Sequence, residues 1–336
     1  MTRWLLIVAL GISLAACGDS RLPEYELSGN AMGTTFNITL IDPAEDVADE
    51  ALQSRIAESL ERIDKLASTW KPDSQLSLLN AERSTEWVAV SNELCVALES
   101  ALEIGRLSEG AFDITVGPLV NLWGFGPDGM VTGPPSDEAL ASAMESVGYE
   151  LLDTRCEQPA VRKAHADLYV DLSGWAKGLA VDEVATLLDR EGLTDYLVEI
   201  GGELRVRGHN AAGEKWAIAI EAPSTLQRKP HSVLRVTDTS VATSGDYRNY
   251  FEHEGAHYSH TIDARTGRPV AHDLTAVTVV SESAAFADAM ATALLVLGPD
   301  AGPRLATNQQ IAGYFLVRNA TGIEELTTPE FDLLRN

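Results

Sequence analysis

Hydrophobic residues recur along this chain at regular intervals, and the interval predicts which segments are helical. Leu52, Ile56, Leu60 and Ile63 lie three or four positions apart, so an amphipathic helix is expected over about 47–67. The same spacing predicts helices after the capping residues Ser91 and Ser136, from about Leu179 to a stop at Gly192, and from Ala284 to a stop at Gly298.

Alternating or short continuous apolar runs predict the strands, most of them in the second half of the chain. Residues 25–40 are expected to form two strands, or one bulged strand, around Met32-Gly33. Other strands are predicted at 168–172, 196–200, 204–208, 215–221, 232–237, 248–252, 257–262, 275–280 and 314–317, whereas 243–246 and 261–267 are interpreted as polar turns. Because helices and strands neither alternate strictly nor occur alone, the predicted fold class is α+β, with mixed or antiparallel sheets and packed helices.

The composition limits the classes of protein to which the chain can belong. Its 336 residues are 45% hydrophobic and 22% charged, which is enough for one large domain or two ordinary ones. With 50 acidic against 25 basic residues, the formal charge is −25, which argues against a nucleic-acid partner. An anionic ligand would need local lysines, backbone amides or a metal ion to offset this field.

The first residues have the pattern of a secretion signal. Arg3 is followed by an apolar run over residues 4–16, which is too short to span a bilayer. The run ends in Leu14-Ala15-Ala16-Cys17, which looks like a bacterial lipoprotein signal in which Cys17 is lipidated. We therefore expect a signal peptide over 1–16, a lipid-anchored tether over 17–24, and a protein held on the membrane outside the cytosol. A plain signal peptide cut near Ala16 is the alternative.

The two remaining cysteines do not suggest a reactive site. Cys95 and Cys156 could pair in an oxidising compartment, but two cysteines form neither a disulfide framework nor a zinc site. Cys95 falls within a helical pattern and is interpreted as a small core residue. No cysteine chemistry is expected.

The stretch 170–182 combines residues that suit phosphate and a hard cation. It leads from an apolar run into a helix, so a strand-to-helix turn is expected there. Gly174 and Gly178 leave backbone amides free at a helix N-terminus, and Lys177 can meet anionic oxygen. The carboxylate of Asp171 and nearby carbonyl oxygens suit magnesium. An ordinary connection with a solvated lysine is the alternative, because the stretch matches neither the P-loop nor the dinucleotide fingerprint.

A second polar pair lies on the last long helix. Asp288 and Thr292 are four residues apart in an otherwise apolar segment, so their side chains share one face. A carboxylate and a hydroxyl directed together could complete an oxygen-lined magnesium site. The alternative is structural: a helix cap, with the threonine bonding back to the preceding turn.

Three histidines near the end of the strand-rich region are spaced like zinc ligands. His253, His257 and His260 would share a face only in a helix, whereas Glu254-Gly255 is typical of a turn between strands. The sequence therefore argues against zinc. A single histidine in this region could still act as a general base or bind phosphate.

Eight short motifs, taken in chain order, carry a resemblance to a known family. They are Met32-Gly33-Thr34, Trp70-x-Pro72-x-Ser74-x-Leu76-Ser77-x-Leu79-Asn80, Gly110-Ala111-Phe112-Asp113, the stretch Asp171 to Asp182, Gly201-Gly202-Glu203, Ser244-Gly245-Asp246-Tyr247, His260-x-Ile262-Asp263-x-x-Thr266-Gly267, and Ala287-Asp288-Ala289-x-x-Thr292-Ala293. With them the chain resembles the ApbE-type FAD:protein FMN transferases, bacterial lipoproteins that attach FMN covalently to threonine in partner flavoproteins. The resemblance runs from about residue 28 to about residue 318.

The resemblance implies the roles of individual residues. The FAD site would be lined by Met32, Trp70, Ala111, Phe112, Asp113, Asp171, Lys177 and Thr261. Magnesium would be held by the carbonyl of Gly174, the carboxylate of Asp288 and the hydroxyl of Thr292. Two positions depart from the family pattern, because Trp70 replaces a more usual tyrosine and Ala264 a more usual proline.

The implied reaction is a magnesium-dependent transfer of FMN from FAD to an acceptor threonine, with release of AMP. His260 is the candidate for activating the hydroxyl and Lys177 for stabilising the phosphate charge, with Asp288 as the metal ligand. The catalytic domain would span 25–336 in an ApbE-like fold, with two intertwined lobes as one arrangement. The acceptor would be a subunit of a membrane redox complex, such as an NADH:quinone reductase, on the periplasmic side. An FAD pyrophosphatase that gives FMN and AMP, and a non-catalytic flavin-binding lipoprotein, are the alternatives.

Overall fold

The structure is a computed structural model that describes residues 21–44, 50–129, 131–223, 230–246 and 249–335. The predicted signal peptide and Cys17 lie outside the described residues, so both stay predictions. The helices are α1 Glu50–Ala67, α2 Gln75–Ala81, α3 Asn92–Leu107, α4 Gly117–Leu122, α5 Asp137–Met144, α6 Ala176–Arg190, α7 Ala284–Asn308 and α8 Pro329–Leu334.

The strands lie mainly after α6. They are β1 Glu24–Ala31, β2 Thr34–Ile41, β3 Val88–Ala89, β4 Leu152–Arg155, β5 Ala160–Lys163, β6 Tyr196–Ile200, β7 Glu203–Arg207, β8 Trp216–Glu221, β9 Pro230–Val236, β10 Thr239–Gly245, β11 Tyr250–His253, β12 Ala256–Ser259, β13 Ile262–Asp263, β14 Arg268–Pro269, β15 Leu274–Ser281, β16 Ala312–Asn319 and β17 Gly322–Thr327. The predicted α+β class is confirmed.

One large sheet organises the described part of the chain. Its eight strands follow the order β1-β2-β6-β7-β10-β15-β16-β17, and every pairing within it is antiparallel. Antiparallel neighbours bring the start of one strand beside the end of the next. The starts of β2 and β7 therefore lie beside the ends of β6 and β10, along the same border of the sheet.

Both faces of this sheet are covered, as the interior strand β15 shows. Val277 and Val279 point into the larger core, which also contains α1, α6 and α7. Ala276 and Val280 point the other way, into a smaller core with the β8–β9 hairpin and α8. Successive residues of a strand face opposite sides, so a strand buried on both faces is apolar almost throughout.

The helices that the apolar spacing predicts are present. In α1 the four residues of the predicted stripe, from Leu52 to Ile63, are all buried. Ser91 and Ser136 cap α3 and α5, because each side chain accepts a hydrogen bond from a backbone amide of the first turn. The helix after the central stretch also ends as predicted, with Gly192 in the left-handed region at φ 80°.

The long helix α7 is interrupted where the sequence predicts its end. Gly298 has φ 78° and ψ −174°, and a second helical segment then continues to Asn308. By length and composition α7 could cross a membrane, but 67% of its most apolar window is buried inside the protein. It is therefore a core helix of the described chain.

The predicted strand at 168–172 is wrong. Leu168, Val170 and Leu172 are buried, but the segment joins no sheet. Its backbone groups are satisfied elsewhere, since the side-chain amide of Asn80 pairs with both the N–H (2.7 Å) and the C=O (2.8 Å) of Val170. An apolar run shows that a segment is buried, but it does not show which partner receives its hydrogen bonds.

The two cysteines described by the structure form a disulfide. Cys95 lies on α3 and is fully buried, as the helical pattern predicts, yet its sulfur is bonded to that of Cys156. The expectation of a plain core cysteine is therefore corrected. Sequence spacing left the pairing open, because a sequence separation of 61 says nothing about their distance in space.

Asp182, the last residue of the central motif, joins α6 to the start of α7. Its carboxylate accepts hydrogen bonds from the Ser283 hydroxyl (2.8 Å) and from the amides of Ala284 (2.9 Å) and Ala285 (3.0 Å). We expect Asp182→Ala to lower the free energy of unfolding by about 1–3 kcal/mol, because helix amides lose their acceptor. Urea denaturation tests this against Glu99→Ala on the exposed face of α3. An equal, small shift in both variants would contradict it.

Candidate functional site

A cleft of about 770 Å³ opens where β2, β6, β7 and β10 begin or end, beside the start of α6 and the first half of α7. Loops that carry residues 111–113 and 260–262 close its other side. It is lined by the predicted flavin, metal and catalytic residues Trp70, Ala111, Phe112, Asp113, Asp171, Gly174, Lys177, His260, Thr261, Asp288 and Thr292. Residues far apart in sequence thus face one space, and their individual roles stay predictions.

Met32 is the exception among the predicted site residues. It lies in the turn of the β1–β2 hairpin with φ 50°, followed by Gly33 with φ 74°. Two successive residues with positive φ are typical of a tight hairpin turn. Met32 lines a shallow neighbouring depression, whereas Thr34 and Thr35 line both the depression and the cleft. A flavin contact by Met32 stays a prediction.

Lys177 is held between two carboxylates at the base of the cleft. Its Nζ lies 3.5 Å from both oxygens of Asp288 and 3.4 Å from Oε1 of Glu203. The Asp288 and Glu203 side chains are only 3% and 5% exposed, and that of Lys177 is 30% exposed. The alternative of a solvated lysine is therefore wrong.

The two carboxylates shift the pKa of Lys177, and the pKa of Glu203 is shifted in turn. Burial opposes the charge of the Lys177 ammonium, but Asp288 and Glu203 outweigh it and raise the lysine pKa above its usual value. Burial raises the pKa of the Glu203 carboxyl to about 8; Lys177 opposes this rise and the charge of Asp288 adds to it. The charge states of Lys177 and Glu203 are therefore linked.

Glycine at position 178 allows α6 and α7 to approach so closely that Asp288 reaches the start of α6. A Cβ atom there would lie 2.3 Å from the carbonyl oxygen of Ala284. The Gly178 amide instead donates to Asp288 Oδ2 at 3.1 Å. The sequence suggested that the amides of this turn are free to meet phosphate, but the Gly178 amide is not free, because a carboxylate of the chain accepts its hydrogen.

Thr292 also faces the cleft rather than its own helix. Its Oγ1 lies 2.9 Å from the hydroxyl of Ser244 on β10, and a Cβ atom on Gly174 would lie 3.6 Å from it. Ser283 caps α7 itself, and Thr292 pairs with a residue of another element. Asp288 does accept an amide of the first turn of α6, as the structural alternative allows. Gly174, Asp288 and Thr292 thus line the same cleft, and their role as metal ligands stays a prediction.

The predicted polar turn at 243–246 is wrong as well. Thr243 and Ser244 belong to β10 in the centre of the sheet, and the Thr243 hydroxyl lies 2.8 Å from that of Thr278 on β15. Polar residues there are compatible with a strand because their hydroxyls pair with one another or face the cleft. The local composition is typical of a turn, but the tertiary environment determines that the segment forms a strand.

Two predicted flavin-site carboxylates also shape the loops around the cleft. Asp113 accepts hydrogen bonds from the amide (2.8 Å) and hydroxyl (2.7 Å) of Thr115 and from the amide of Tyr149 (2.8 Å). Burial raises the pKa of Asp113, and these hydrogen bonds oppose the rise. Asp171 accepts from the amide of Ser173 at 2.8 Å. Both residues therefore fix the backbone that a ligand in the cleft would meet.

His260 has a defined orientation at the opposite wall. Its Nδ1 lies 3.0 Å from the carbonyl oxygen of Asn249. A carbonyl only accepts hydrogen bonds, so we assign the proton of the neutral ring to Nδ1. The free lone pair of the ring is then on Nε2. Burial lowers the pKa of His260 below its usual 6.5, and Lys177 adds to this, so the ring is neutral at pH 7. His253 and His257 belong instead to the β11–β12 hairpin.

Charge in the cleft is strongly unbalanced. Among the described residues that line it, one lysine and one histidine face six carboxylates: Asp113, Asp171, Glu199, Glu203, Glu221 and Asp288. Such a lining repels an anionic ligand unless a cation is bound with it. Sequence reasoning assigned no role to Glu199, Glu203 or Glu221, although Gly201-Gly202-Glu203 is one of the eight motifs. The glycines indicated a turn, but not that the carboxylate after it is buried.

Comparison with known proteins agrees with the site. The ApbE family model matches residues 32–315. The FAD:protein FMN transferase of Vibrio cholerae serotype O1 is 42% identical over 331 residues, with 98% of each chain covered. That of Haemophilus influenzae is 38% identical over 335 residues, with 98% of this chain and 96% of the relative covered.

Solved structures give the same result for the fold. The flavin transferase ApbE from Vibrio cholerae superposes with a TM-score of 0.86 at 41% identity, covering 93% of this chain and 99% of that one. The apo form of the Pseudomonas stutzeri flavinyl transferase ApbE superposes with a TM-score of 0.84 at 37% identity, covering 94% of this chain and 97% of that one. Sequence and fold agree over nearly the whole length, and the chain therefore belongs to the ApbE family.

Proposed function

We propose that this protein transfers the FMN moiety of FAD to a threonine hydroxyl of an acceptor protein and releases AMP. The observation that carries the proposal is the cleft in which Lys177, Asp288, Thr292 and His260 converge, in a chain whose relatives are named FAD:protein FMN transferases. The cleft is open to solvent at the strand ends, and Trp70 at its rim is 65% exposed. A protein substrate therefore has access to the buried charges.

The donor set at the base of the cleft fits magnesium. The carboxylate of Asp288, the hydroxyl of Thr292 and the carbonyl of Gly174 are oxygen donors, which hard cations prefer. The described residues contain no group of three His, Cys, Asp or Glu that could hold a metal ion, so phosphate oxygens of the substrate or water would complete the shell. A bound magnesium ion would neutralise pyrophosphate oxygens and the charge that develops on AMP.

The reaction then needs one bond to form and one to break. The acceptor threonine oxygen bonds to the phosphorus on the FMN side of the pyrophosphate, and the bond from that phosphorus to the AMP oxygen breaks. The hydroxyl proton goes to Nε2 of His260, and AMP leaves as the anion. Lys177 stabilises negative charge on the transferred phosphoryl group. The product is a phosphodiester between FMN and threonine.

The dependence of FAD consumption on the acceptor separates this function from an FAD pyrophosphatase. Water could take the place of the threonine hydroxyl, which would give free FMN and AMP from the same site. We expect AMP to appear by chromatography only when a threonine-containing acceptor domain is added. Equal AMP release without acceptor, with free FMN as the second product, would favour the pyrophosphatase. Bound FAD with no AMP in either case would favour a flavin-binding lipoprotein.

We further propose that the protein is lipid-anchored at Cys17 on the extracytoplasmic side, where its acceptor is a subunit of a membrane redox complex. The lipoprotein-like sequence before Cys17 supports this, and so does the Cys95–Cys156 disulfide, because such bonds persist in oxidising compartments. Cys17→Ser should move the protein from the membrane fraction to the soluble fraction on cell fractionation. Retention of the variant on the membrane would contradict the anchor.

A further inference from the structure

Glu203 is a buried carboxylate whose environment leaves one oxygen without a partner. It lies at the start of β7, directly after Gly201 and Gly202, and lines the cleft. Its Oε1 lies 3.4 Å from Lys177 Nζ, whereas its Oε2 is buried and has no hydrogen-bond partner among the described residues. A buried oxygen without a partner is costly, so such a group in a native protein calls for an explanation.

Lys177 is shared rather than committed to one partner. Distances of 3.5 Å to both Asp288 oxygens and 3.4 Å to Glu203 are long for charge-assisted hydrogen bonds, which are usually nearer ~2.8 Å. The ammonium thus lies against the same carboxylate that the proposed function gives to magnesium. Lysine and a divalent cation cannot both lie close to Asp288 without strong repulsion.

We propose that Glu203 is a positioning residue that takes over the Lys177 ammonium when a divalent cation binds Asp288. The inference rests on the magnesium site of the proposed function. Without the cation, Lys177 neutralises Asp288 and is shared with Glu203. With the cation in place, the ammonium is repelled from Asp288 and moves fully to Glu203, whose free Oε2 can then accept a second hydrogen bond.

The shift has a consequence for both cations in the cleft. Glu203 reduces the electrostatic cost of magnesium binding, since Lys177 has another buried counter-ion to go to. It also keeps the lysine charged and close to the site where the phosphates bind, instead of letting the side chain leave toward solvent. Glu203 therefore acts through Lys177 and is not itself a metal ligand.

Magnesium affinity in a double-mutant cycle tests this role without relying on activity. Isothermal titration calorimetry with MgCl₂ alone would compare the whole chain with its E203Q, K177M and E203Q/K177M variants in the same buffer. We expect E203Q to weaken Mg²⁺ binding by about fivefold to tenfold, because Lys177 then has only Asp288 as a partner. K177M removes the competing cation and should tighten binding, and the double variant should match K177M within about twofold.

Each other outcome overturns a defined part of the inference. If E203Q weakens Mg²⁺ binding equally with and without Lys177, then Glu203 is a direct ligand and the positioning role is wrong. If K177M does not tighten binding, Lys177 does not compete with the cation. Thermal unfolding without Mg²⁺ checks that E203Q folds. If E203Q does not fold, the comparison of K177M with wild type still shows whether Lys177 competes with the cation for Asp288. If the wild-type protein binds no Mg²⁺, the magnesium site itself fails, and this inference fails with it.

Discussion

Replacing Asp288 with asparagine is expected to lower the rate of FMN transfer by about a thousandfold, because the variant keeps the shape of the site but loses its charge. The carboxylate is 3% exposed and anchors both the Gly178 amide and the Lys177 ammonium. Among the described residues, it is also the one charged ligand that the proposed function gives to magnesium. Asparagine cannot neutralise a divalent cation, so the loss should persist at saturating FAD.

The rate of covalent flavin formation at increasing Mg²⁺ concentration measures this effect. Asp300→Asn is a matched control, since Asp300 lies on the same helix but is exposed and outside the cleft. The control should transfer FMN at the wild-type rate. A transfer rate for Asp288→Asn within about tenfold of wild type would remove the residue from the metal site.

Removing the imidazole of His260 is expected to lower kcat by about a hundredfold to ten-thousandfold, with a smaller effect on KM for FAD. The ring is oriented by the Asn249 carbonyl and has its Nε2 lone pair available. Because a base must be unprotonated, the wild-type rate should fall as pH falls through the pKa of His260, which burial places below 6.5. In His260→Ala this decrease should disappear.

A pH series of kcat for wild type, His260→Ala and His257→Ala tests the assignment. His257 is the control because it stacks on Tyr250 in the β11–β12 hairpin, with ring centroids 4.2 Å apart, and does not line the cleft. Its variant should keep both the rate and the pH profile. If His260→Ala retains the same decrease in rate at low pH, another group is the base.

Periodicity in the sequence was sufficient for the longer helices α1, α3 and α6, for the first segment of α7, and for the fold class. The apolar stripes of α1 and α3 and the serine cap of α3 are local features that need no partner to be recognised. The strand β15 was also predicted, because a strand buried on both faces is apolar almost throughout. In these elements the local propensity and the tertiary packing favour the same structure, which explains why the sequence is sufficient to predict them.

The failures lie where a distant residue satisfies a local group. The run 168–172 looked like a strand, but the side chain of Asn80 takes its backbone hydrogen bonds. Thr243 and Ser244 looked like a turn, but partners on β15 and α7 make them part of a strand. No pattern within a window of residues contains such partners. The motif resemblance brought the correct residues together, but it did not indicate that Glu203 is buried beside Lys177.

The acidic lining of the cleft links the fold to the proposed chemistry. The antiparallel order of the strands brings Glu199, Glu203 and the end of β10 together. The close contact between α6 and α7 at Gly178 adds Asp288. A dinucleotide pyrophosphate would be repelled there without a cation, so the charge of the site itself argues for a metal-dependent reaction.

The most direct test of the proposed function is tandem mass spectrometry of an acceptor domain incubated with the protein, FAD and Mg²⁺. We predict that FMN becomes attached through a phosphodiester to a threonine of the acceptor, with AMP released in equal amount. The adduct should be absent when EDTA is added and when Asp288→Asn replaces the wild-type protein. An unmodified acceptor, while FAD is converted to free FMN and AMP, would contradict the transferase function.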